Sequence, residues 1–425
     1  MKRLLAALLV GILVVVALVA YLNFRGEDRI HDAPPITPPS GEKVARGAYL
    51  AKAGNCMACH TERGGAPFAG GRAIDTPFGT VYSSNLTPHK DEGIGSWSPD
   101  HFWRALHNGR SRDGRLLYPA FPYPNYTLVT RTDADAIYDY LRSLPPAARA
   151  NTPNRLRWPY NTQAALAVWR ALYFSPGTHE ADRAQSAEWN RGAYLVQGLG
   201  HCSACHSPRN ALGANSDMMD LSGGLIPMQN WYAPSLASPH EAGVADWDTA
   251  QVVRLLQTGT SQRGTVLGPM AEVVLQSTQH VSPSDLQAMA TYLKALPQVA
   301  HGATGATAPA AGARMAERGA KIYADHCAQC HGDKGQGVPG AYPPLAGNRA
   351  VTLPVTANLV QVVLGGGFAP ATAGNPRPFG MPPFATVLGD ADVAAVLSHI
   401  RGAWGNKAAP VSEFAVGQQR GTTGP

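Results

Sequence analysis

Residues 46–60 read RGAYLAKAGNCMACH, and the same arrangement returns twice further along the chain. The second copy, at residues 191–206, reads RGAYLVQGLGHCSACH. A looser third copy, at residues 318–331, reads RGAKIYADHCAQCH. Self-similarity of this kind indicates tandem copies of one small structural unit. Each copy ends in Cys-x-x-Cys-His, so the chemistry of that motif decides what kind of domain is repeated.

All six cysteines of the chain lie in these three motifs, which leaves none for a disulfide framework. Thiols at positions i and i+3 lie on one face of a helix and can bond the two vinyl groups of one haem, while the histidine that follows binds its iron. The sequence therefore predicts three covalently bound haem c groups. The attaching residues are Cys56, Cys59, Cys202, Cys205, Cys327 and Cys330, and the proximal iron ligands are His60, His206 and His331.

Two other kinds of site also use paired cysteines. Zinc is held by two Cys-x-x-Cys pairs in many small domains, and periplasmic proteins can carry redox-active dithiols. Three pairs leave one without a partner in such a zinc site, however, and a histidine follows each pair. One motif of this type is suggestive, whereas three on a repeated scaffold favour haem.

The sixth ligand of each iron is expected from the loop before the last helix of each repeat. A methionine thioether in that position raises the reduction potential of the haem. The third repeat offers Met381, which lies between a glycine and two prolines, away from any apolar helical stripe of the kind that buries core methionines. The second repeat offers Met270 after Gly-Pro. We predict both methionines as distal ligands.

The first repeat has no such methionine. Residues 114–119 align with residues 264–269 at a constant offset (264 − 114 = 150), which places Ala120 and Phe121 at the ligand position. Neither side chain binds iron, so the first haem must take a histidine, borrow a ligand from another repeat or remain five-coordinate. His107 is the first candidate, although it also suits its place at a helix C-terminus without binding iron. The further candidates are His101 and His89.

The N-terminus carries an apolar, uncharged run of 19 residues, Leu4 to Leu22, directly after Lys2 and Arg3. As a helix this run would span roughly 28 Å, which matches a bilayer core. A cleavable signal peptide is the alternative, but its apolar region usually has about 7–15 residues and ends at a small-x-small site. For an anchor, the two basic residues stay in the cytoplasm and the rest of the chain lies in the periplasm.

The charge of the chain does not point to a particular partner. Lys and Arg number 35 against 29 Asp and Glu, giving a formal charge of +6. The basic residues are scattered, which argues against a nucleic-acid partner. Three haems would add six propionates (3 × 2) and nearly cancel this charge.

The 425 residues suffice for two to four domains at about 100–200 residues each. Each repeat is predicted to contain a helix before its motif, a Gly/Pro-rich loop, a middle helix and a terminal helix. Such a small all-α unit has little core of its own and relies on a bulky cofactor for stability. The predicted divisions are a membrane segment 1–27, first repeat 43–150, bridge 151–185, second repeat 186–300, flexible linker 301–313, third repeat 314–405 and tail 406–425.

With these residues in place, the chain resembles the triheme cytochrome c subunit of bacterial membrane-bound dehydrogenases, a family that serves alcohol, gluconate, fructose and aldehyde dehydrogenases. The resemblance covers residues 44–416. It implies an all-α fold of three tandem class I cytochrome c domains after an N-terminal transmembrane helix. The most specific stretches are SAEWNRGAYLVQGLGHCSACHSPRN (186–210), CHGDKGQGVPGAYPPLAGN (330–348) and NPRPFGMPPFA (375–385).

The resemblance also implies a function. It implies an electron-transfer subunit, with no catalytic residues of its own, that accepts electrons from a flavin, quinone-cofactor or molybdenum dehydrogenase subunit. The electrons pass to ubiquinone or a terminal oxidase at the membrane. It further implies haem attachment at the three cysteine pairs, with Met270 and Met381 as distal ligands. Two departures are visible: some relatives carry methionine where this chain has Phe121, and several attach to membranes through C-terminal amphipathic segments.

A haem enzyme is the rival function. A five-coordinate first haem would bind a small substrate, as in haem peroxidases or sulfur-oxidising cytochromes. Against this, LYPAFPYPNY (117–126) supplies no evident acid, base or cysteine beside the iron. The sequence does not indicate the substrate of the partner dehydrogenase, because that pocket would lie in another subunit.

Overall fold

The structure, a computed structural model, describes residues 1–31, 39–215, 220–299 and 312–421. Contacts divide the chain into two compact units. The first unit comprises residues 1–184, 194–204 and 209–218, and the second comprises residues 185–193, 205–208 and 219–425. The flexible linker predicted over 301–313 lies outside the described residues as far as residue 311.

The N-terminal part of the chain begins with helix α1 (Lys2–Phe24), which is long and apolar enough to cross a membrane. The first repeat then contains α2 (Gly41–Ala53), α3 (Cys56–His60), β1 (Ala73–Thr76), β2 (Gly79–Tyr82), α4 (Pro99–Asn108), α5 (Tyr123–Tyr126) and α6 (Arg131–Arg142). The bridge adds β3 (Arg155–Leu156) and α7 (Gln163–Tyr173). Because β3 pairs with β2, which pairs with β1, the bridge begins as the third strand of a sheet in the first repeat.

The later repeats follow a similar order of elements. The second contains α8 (Ala187–Ala193), a π-helical segment (Tyr194–Leu199), α9 (Ser203–His206), β4 (Gly224–Ile226), β5 (Trp231–Ala233), α10 (Thr249–Thr258), β6 (Thr260–Ser261), β7 (Gly264–Thr265), α11 (Pro269–Gln276), a 3₁₀ turn (Thr278–His280) and α12 (Pro283–Lys294). The third contains α13 (Ala313–His326), α14 (Ala328–His331), α15 (Arg349–Thr352), α16 (Ala357–Gly365), β8 (Gly367–Phe368), β9 (Gly380–Met381), α17 (Asp390–Gly402) and α18 (Glu413–Arg420).

The Gly/Pro-rich loops contain short strands that an all-α fold does not include. They form antiparallel pairs β4–β5, β6–β7 and β8–β9 besides the three-stranded sheet of the first repeat. None of these strands exceeds four residues. Strands this short show no readable alternation of apolar and polar residues, so the sequence predicted only loops.

The glycine of each Arg-Gly-Ala copy marks the crossing of two helices. In every repeat the helix before the haem motif packs across the terminal helix of the same repeat. A Cβ on the glycine would collide with a backbone carbonyl of the opposite helix; the pairs are Gly47–Ala136, Gly192–Ala288 and Gly319–Ala395. A backbone carbonyl cannot move away as a flexible side chain would, so only glycine allows this approach.

The arginine of each copy pairs with an aspartate in the first turn of the terminal helix. A carboxylate there also interacts favourably with the helix dipole. The Nε–Oδ1 distances are 2.9 Å for Arg46–Asp133, 2.8 Å for Arg191–Asp285 and 2.8 Å for Arg318–Asp392. The repeated sequence is therefore a helix-crossing element: glycine permits the contact and arginine fixes its register.

The C-terminal residues are part of the third repeat. Helix α18 buries Val416 completely in the apolar core shared with α16 and α17. Arg420 donates from Nε to Asp390 at the start of α17, over 2.6 Å. Residues 406–425, which the sequence presents as a mostly polar tail, thus include a packed helix, because two or three buried apolar side chains suffice to dock one short amphipathic segment.

Candidate haem-attachment sites

Each Cys-x-x-Cys-His motif forms or ends a short helix directly after the first helix of its repeat, at α3, α9 and α14. Burial, reinforced by the nearby Cys59, raises the pKa of the Cys56 thiol to about 12. Burial and Cys330 likewise raise the pKa of Cys327 to about 11. A redox-active Cys-x-x-Cys pair needs a thiol with a lowered pKa. Neither Cys56 nor Cys327 therefore has the lowered pKa of an activated thiol.

The histidines of the three motifs share one hydrogen-bonding arrangement. Each ring places Nδ1 against a backbone carbonyl, and a carbonyl oxygen can only accept, so Nδ1 carries the proton. The Nδ1–O distances are 2.7 Å for His60–Ser84, 2.7 Å for His206–Pro234 and 3.1 Å for His331–Pro343. The lone pair of Nε2 is left for a metal, which is how ligating histidines are usually oriented.

Burial also keeps these rings neutral. It lowers the pKa of His60, His206 and His331 below the ordinary value, and the carbonyl contact offsets only part of that shift. A neutral imidazole is the form that binds iron. Two thiols on one helical face, followed by an oriented neutral imidazole, fit the donor set that holds a covalently attached haem.

The two predicted methionine ligands lie in different settings. Met270 lies in the first turn of α11, after Gly268 and Pro269. Gly268 has a φ of +56°, and a Cβ there would collide with the Trp231 ring, so the turn that presents the methionine requires glycine. Met381 lies in β9 and packs, as Cys327 does, at the edge of the apolar core of the third repeat. The structure thus brings Met381 and the third attachment motif to one core.

The first repeat presents aromatic side chains at the corresponding loop. The ring of Phe121 lies 5.3 Å from that of Tyr126 and 6.5 Å from that of Tyr123. Tyr126 donates its hydroxyl to the Gly54 carbonyl over 3.0 Å, next to the first attachment motif. Burial, reinforced by the nearby thiols of Cys56 and Cys59, holds the pKa of the Tyr126 phenol well above its usual value. The loop therefore reaches the first motif without offering a thioether.

The three candidate histidines of the first repeat differ in how they use Nδ1. In His107, Nδ1 donates to the Thr127 carbonyl over 2.9 Å, and the ring stacks on Trp103 at 4.4 Å. Burial lowers its pKa, which keeps the ring neutral with Nε2 unprotonated. His101 and His89 instead accept at Nδ1 from the backbone N–H groups of Ser98 (3.1 Å) and Glu92 (3.2 Å). An Nδ1 that accepts a hydrogen bond places the ring proton on Nε2, so neither ring is oriented for iron binding as His107 is.

Comparison with known proteins agrees with this chemistry. The Cytochrome c family model matches residues 44–145 and 316–404. Over 395 residues the chain is 38% identical to the alcohol dehydrogenase (quinone) cytochrome c subunit of Gluconobacter oxydans, covering 90% of this chain and 82% of that one. The chain belongs to the dehydrogenase cytochrome c subunits. Its identity is 38% to the gluconate 2-dehydrogenase cytochrome c subunit of Pantoea cypripedii, covering 86% of each chain.

A third relative in this group is the fructose dehydrogenase cytochrome subunit of Gluconobacter japonicus, at 34% identity over 90% of this chain and 84% of that one. The resemblance stated from the sequence is thereby confirmed. As a dehydrogenase cytochrome c subunit, the chain contains cytochrome c domains, binds haem c covalently and has an electron-transfer role.

Sequence reasoning missed two groups of residues in this cytochrome subunit. One comprises Asn125 and Tyr126, at the end of the loop that lacks a methionine. The other comprises Asn23 and Glu27, directly after the apolar part of α1. Both groups act through partners distant in sequence, so the only local signals were an Asn-Tyr pair after proline and an asparagine at the end of an apolar run.

Proposed function

We propose that this chain is a membrane-anchored, periplasmic relay with three haem c groups. It would carry electrons from the catalytic subunit of a dehydrogenase, of flavin, quinone-cofactor or molybdenum type, to ubiquinone or a terminal oxidase. The supporting observation is the threefold repetition of one donor set, a cysteine pair followed by a histidine whose Nδ1 donates to a backbone carbonyl. Haem c bound at such a site supplies a one-electron couple.

The side chains of the chain set how each haem is held. The cysteine pairs would hold the macrocycle, and the motif histidines, oriented through Nδ1, would bind the iron. Met270 and Met381 would supply the thioether ligands of the second and third haems, and a thioether raises the potential. His107 is proposed for the first haem. A haem with two histidines lacks that thioether, so the first haem should have the lowest potential and suits electron entry or a low-potential branch.

Contacts at the end of α1 support an anchor that stays attached. Asn23 is buried; its Nδ2 donates to the Ala167 carbonyl over 2.9 Å, and its Oδ1 accepts from Arg170 Nε over 3.0 Å. Arg110 forms a buried ion pair with Glu27, with 2.6 Å between Nε and Oε1. A leader that is removed on export has no need of buried contacts with the mature domain. We therefore propose that α1 remains and spans the inner membrane.

The orientation of this anchor follows from the charges beside it. Lys2 and Arg3 precede the apolar run, and basic residues beside a membrane helix stay on the cytoplasmic side. The haem domains would then lie in the periplasm, together with the donors that pass electrons to them. The membrane itself is one partner of the chain, and a dehydrogenase catalytic subunit is the other.

The deciding experiment is low-temperature electron paramagnetic resonance of the oxidised full-length protein beside His107→Ala. The parent is expected to show two low-spin signals of the methionine–histidine type and one of the bis-histidine type, and the variant should lose only the latter. His89→Ala is the matched control and should leave all three signals in place, because that ring accepts at Nδ1 from the Glu92 N–H.

The same samples test the rival function and the haem count. A high-spin signal in the parent, together with carbon monoxide binding to the reduced protein, would mean an open iron and favour a haem enzyme. A protein mass that accounts for fewer than three attached haems would contradict the relay as proposed. A first haem with the highest of the three potentials would contradict its bis-histidine ligation.

A further inference from the structure

The loop LYPAFPYPNY (117–126) ends in two side chains that bind the attachment loops of two different haem motifs. Tyr126 donates its hydroxyl to the Gly54 carbonyl over 3.0 Å, two residues before Cys56. Asn125 donates from Nδ2 to the hydroxyl oxygen of Ser203 over 2.7 Å, directly after Cys202. Both side chains are buried, with 6% and 3% of their surface exposed.

The surroundings hold these two side chains in place. Asn125 donates a further bond from Nδ2 to the Gln197 carbonyl over 2.8 Å. The Tyr126 ring lies edge-to-face against His201, with 5.4 Å between ring centres. Leu199 closes the same junction, because its Cδ1 would lie 3.2 Å from a Cβ added to Gly54. Buried hydrogen bonds and ring contacts of this density leave each side chain a single position.

The residues of this loop do not include the methionine that its counterpart in the third repeat presents. In the third repeat the corresponding loop presents Met381, whereas here Ala120 and Phe121 occupy the ligand position, and neither can bind iron. Two buried polar side chains would be costly unless their bonds were satisfied. The attachment loops of the two haem motifs supply these hydrogen-bond partners. This loop therefore contacts two motifs, whereas its counterpart in the third repeat is proposed to supply a ligand to one haem.

We infer that Asn125 and Tyr126 bridge the first and second haem-attachment loops and conduct electrons between the two haems. The route runs from Cys56 through Asn55 to the Gly54 carbonyl, across the hydrogen bond to Tyr126, along the backbone to Asn125, and across the second hydrogen bond to Ser203 beside Cys202. This inference rests on the proposed relay function. With haem bound at both motifs, one electron would pass from the first iron, Fe(II) becoming Fe(III), to the second, Fe(III) becoming Fe(II). The bridge keeps its oxidation state and its protons.

The test compares two tyrosine variants that each lose one buried hydroxyl. Tyr126→Phe removes the bond to Gly54, whereas Tyr138→Phe removes a bond to the Trp97 carbonyl. The Tyr138 side chain is 1% exposed, so the two variants should lose similar stability. Transfer between the first and second haems is followed after pulsed photoreduction of the full-length holoprotein. Tyr126→Phe is expected to slow this transfer by about tenfold because the route loses one hydrogen bond, a barrier change of about 1.4 kcal/mol, and Tyr138→Phe is expected to leave it unchanged.

A second variant breaks the other end of the route. Ser203→Ala removes the hydroxyl that accepts from Asn125 and should slow transfer to a similar extent. In both variants the low-spin signals and the haem content should match those of the parent, which separates conduction from a loss of structure. Parent-like transfer in Tyr126→Phe and Ser203→Ala would overturn the bridge alone. Absence of transfer between haems in the parent would overturn the relay on which it rests.

Discussion

The first and third repeats use the same scaffold and differ in one loop. Both cross their outer helices at a glycine and fix the crossing with an arginine–aspartate pair, Arg46–Asp133 in the first and Arg318–Asp392 in the third. The loop before the terminal helix presents Met381 in the third repeat but Phe121 in the first. The helical scaffold around the attachment motif is therefore kept, while the loop before the terminal helix offers a thioether in the third repeat and an aromatic ring in the first.

The largest effect is expected from breaking the shared scaffold. Gly319→Ala places a Cβ against the Ala395 carbonyl, and the repeat should lose about 3 kcal/mol or more of unfolding free energy because the backbone must shift. Gly402→Ala is the control, since a Cβ there meets open space at the end of α17. The control should gain up to about 1 kcal/mol through helix propensity. Denaturant unfolding measures both, and equal effects would contradict the crossing role of Gly319.

Copying the first loop into the third should give the next largest effect. Met381→Phe removes the proposed thioether, and the potential of the third haem should fall by on the order of 0.2 V, a fraction of the roughly 0.8 V that axial ligands span. Met289→Leu is the control, because that methionine is a buried core residue of α12. Potentiometric titration of the full-length protein measures both variants. An unchanged potential in Met381→Phe would remove Met381 from the ligand set.

The reverse exchange should have a smaller effect, because His107 would compete for the iron. Phe121→Met places a thioether at one of the two residues that occupy the ligand position of the first repeat. A low-spin signal of the methionine–histidine type is expected to replace the bis-histidine signal in part, with a rise in the potential of the first haem. The fraction replaced should increase when His107→Ala is added. If neither variant shows the methionine-type signal, Phe121 does not occupy the ligand position.

The smallest effect concerns pH. Burial lowers the pKa of His399, whose ring lies 5.7 Å from that of Tyr323 and 5.5 Å from that of Trp404. The unfolded ring gains a proton below about pH 6.5, whereas the folded ring gains it only at lower pH. Between these two pKa values the unfolded state binds more protons than the folded state. The free energy of unfolding is therefore highest above about pH 6.5 and falls as the solution becomes more acidic.

This pH effect can be isolated by substitution. The thermal midpoint of the third repeat is expected to decline between pH 7.5 and 5.5, and His399→Gln should decline less because it has no proton to gain. The comparison uses the difference between the two slopes, which removes the contribution of all other groups. A variant with the same slope as the parent would show that His399 does not contribute.

The sequence predicted the parts of the fold that depend on neighbours along the chain. The middle helix predicted for the first repeat is α4, and it has local end signals in a capping Ser98, a proline at its first position and a terminal Gly109. The Arg-Gly-Ala repeat was visible, but its reason was not, because Asp133 lies 87 residues beyond Arg46. Partners this distant leave no periodic signal in the sequence.

The candidate site divides in the same way. The cysteine pairs and their histidines are contiguous, so the motif alone predicts them as haem-attachment residues. The preference for His107 over His101 and His89 rests on which ring nitrogen meets a donor and which meets a carbonyl, and the sequence does not show this. The bridge through Tyr126 was hidden because its partner Gly54 lies 72 residues away.

The buried contacts of Asn23 and Glu27 make the end of the proposed anchor a rigid joint. A flexible linker in this place would let the first haem domain take many heights and tilts above the bilayer. In an anchored chain, a joint that includes the Arg110–Glu27 ion pair would restrict the height and tilt of the domain, and the same side of the domain would face the lipid. Diffusion in the membrane plane would then be the main search for a partner, and the domain would meet other membrane proteins in one orientation.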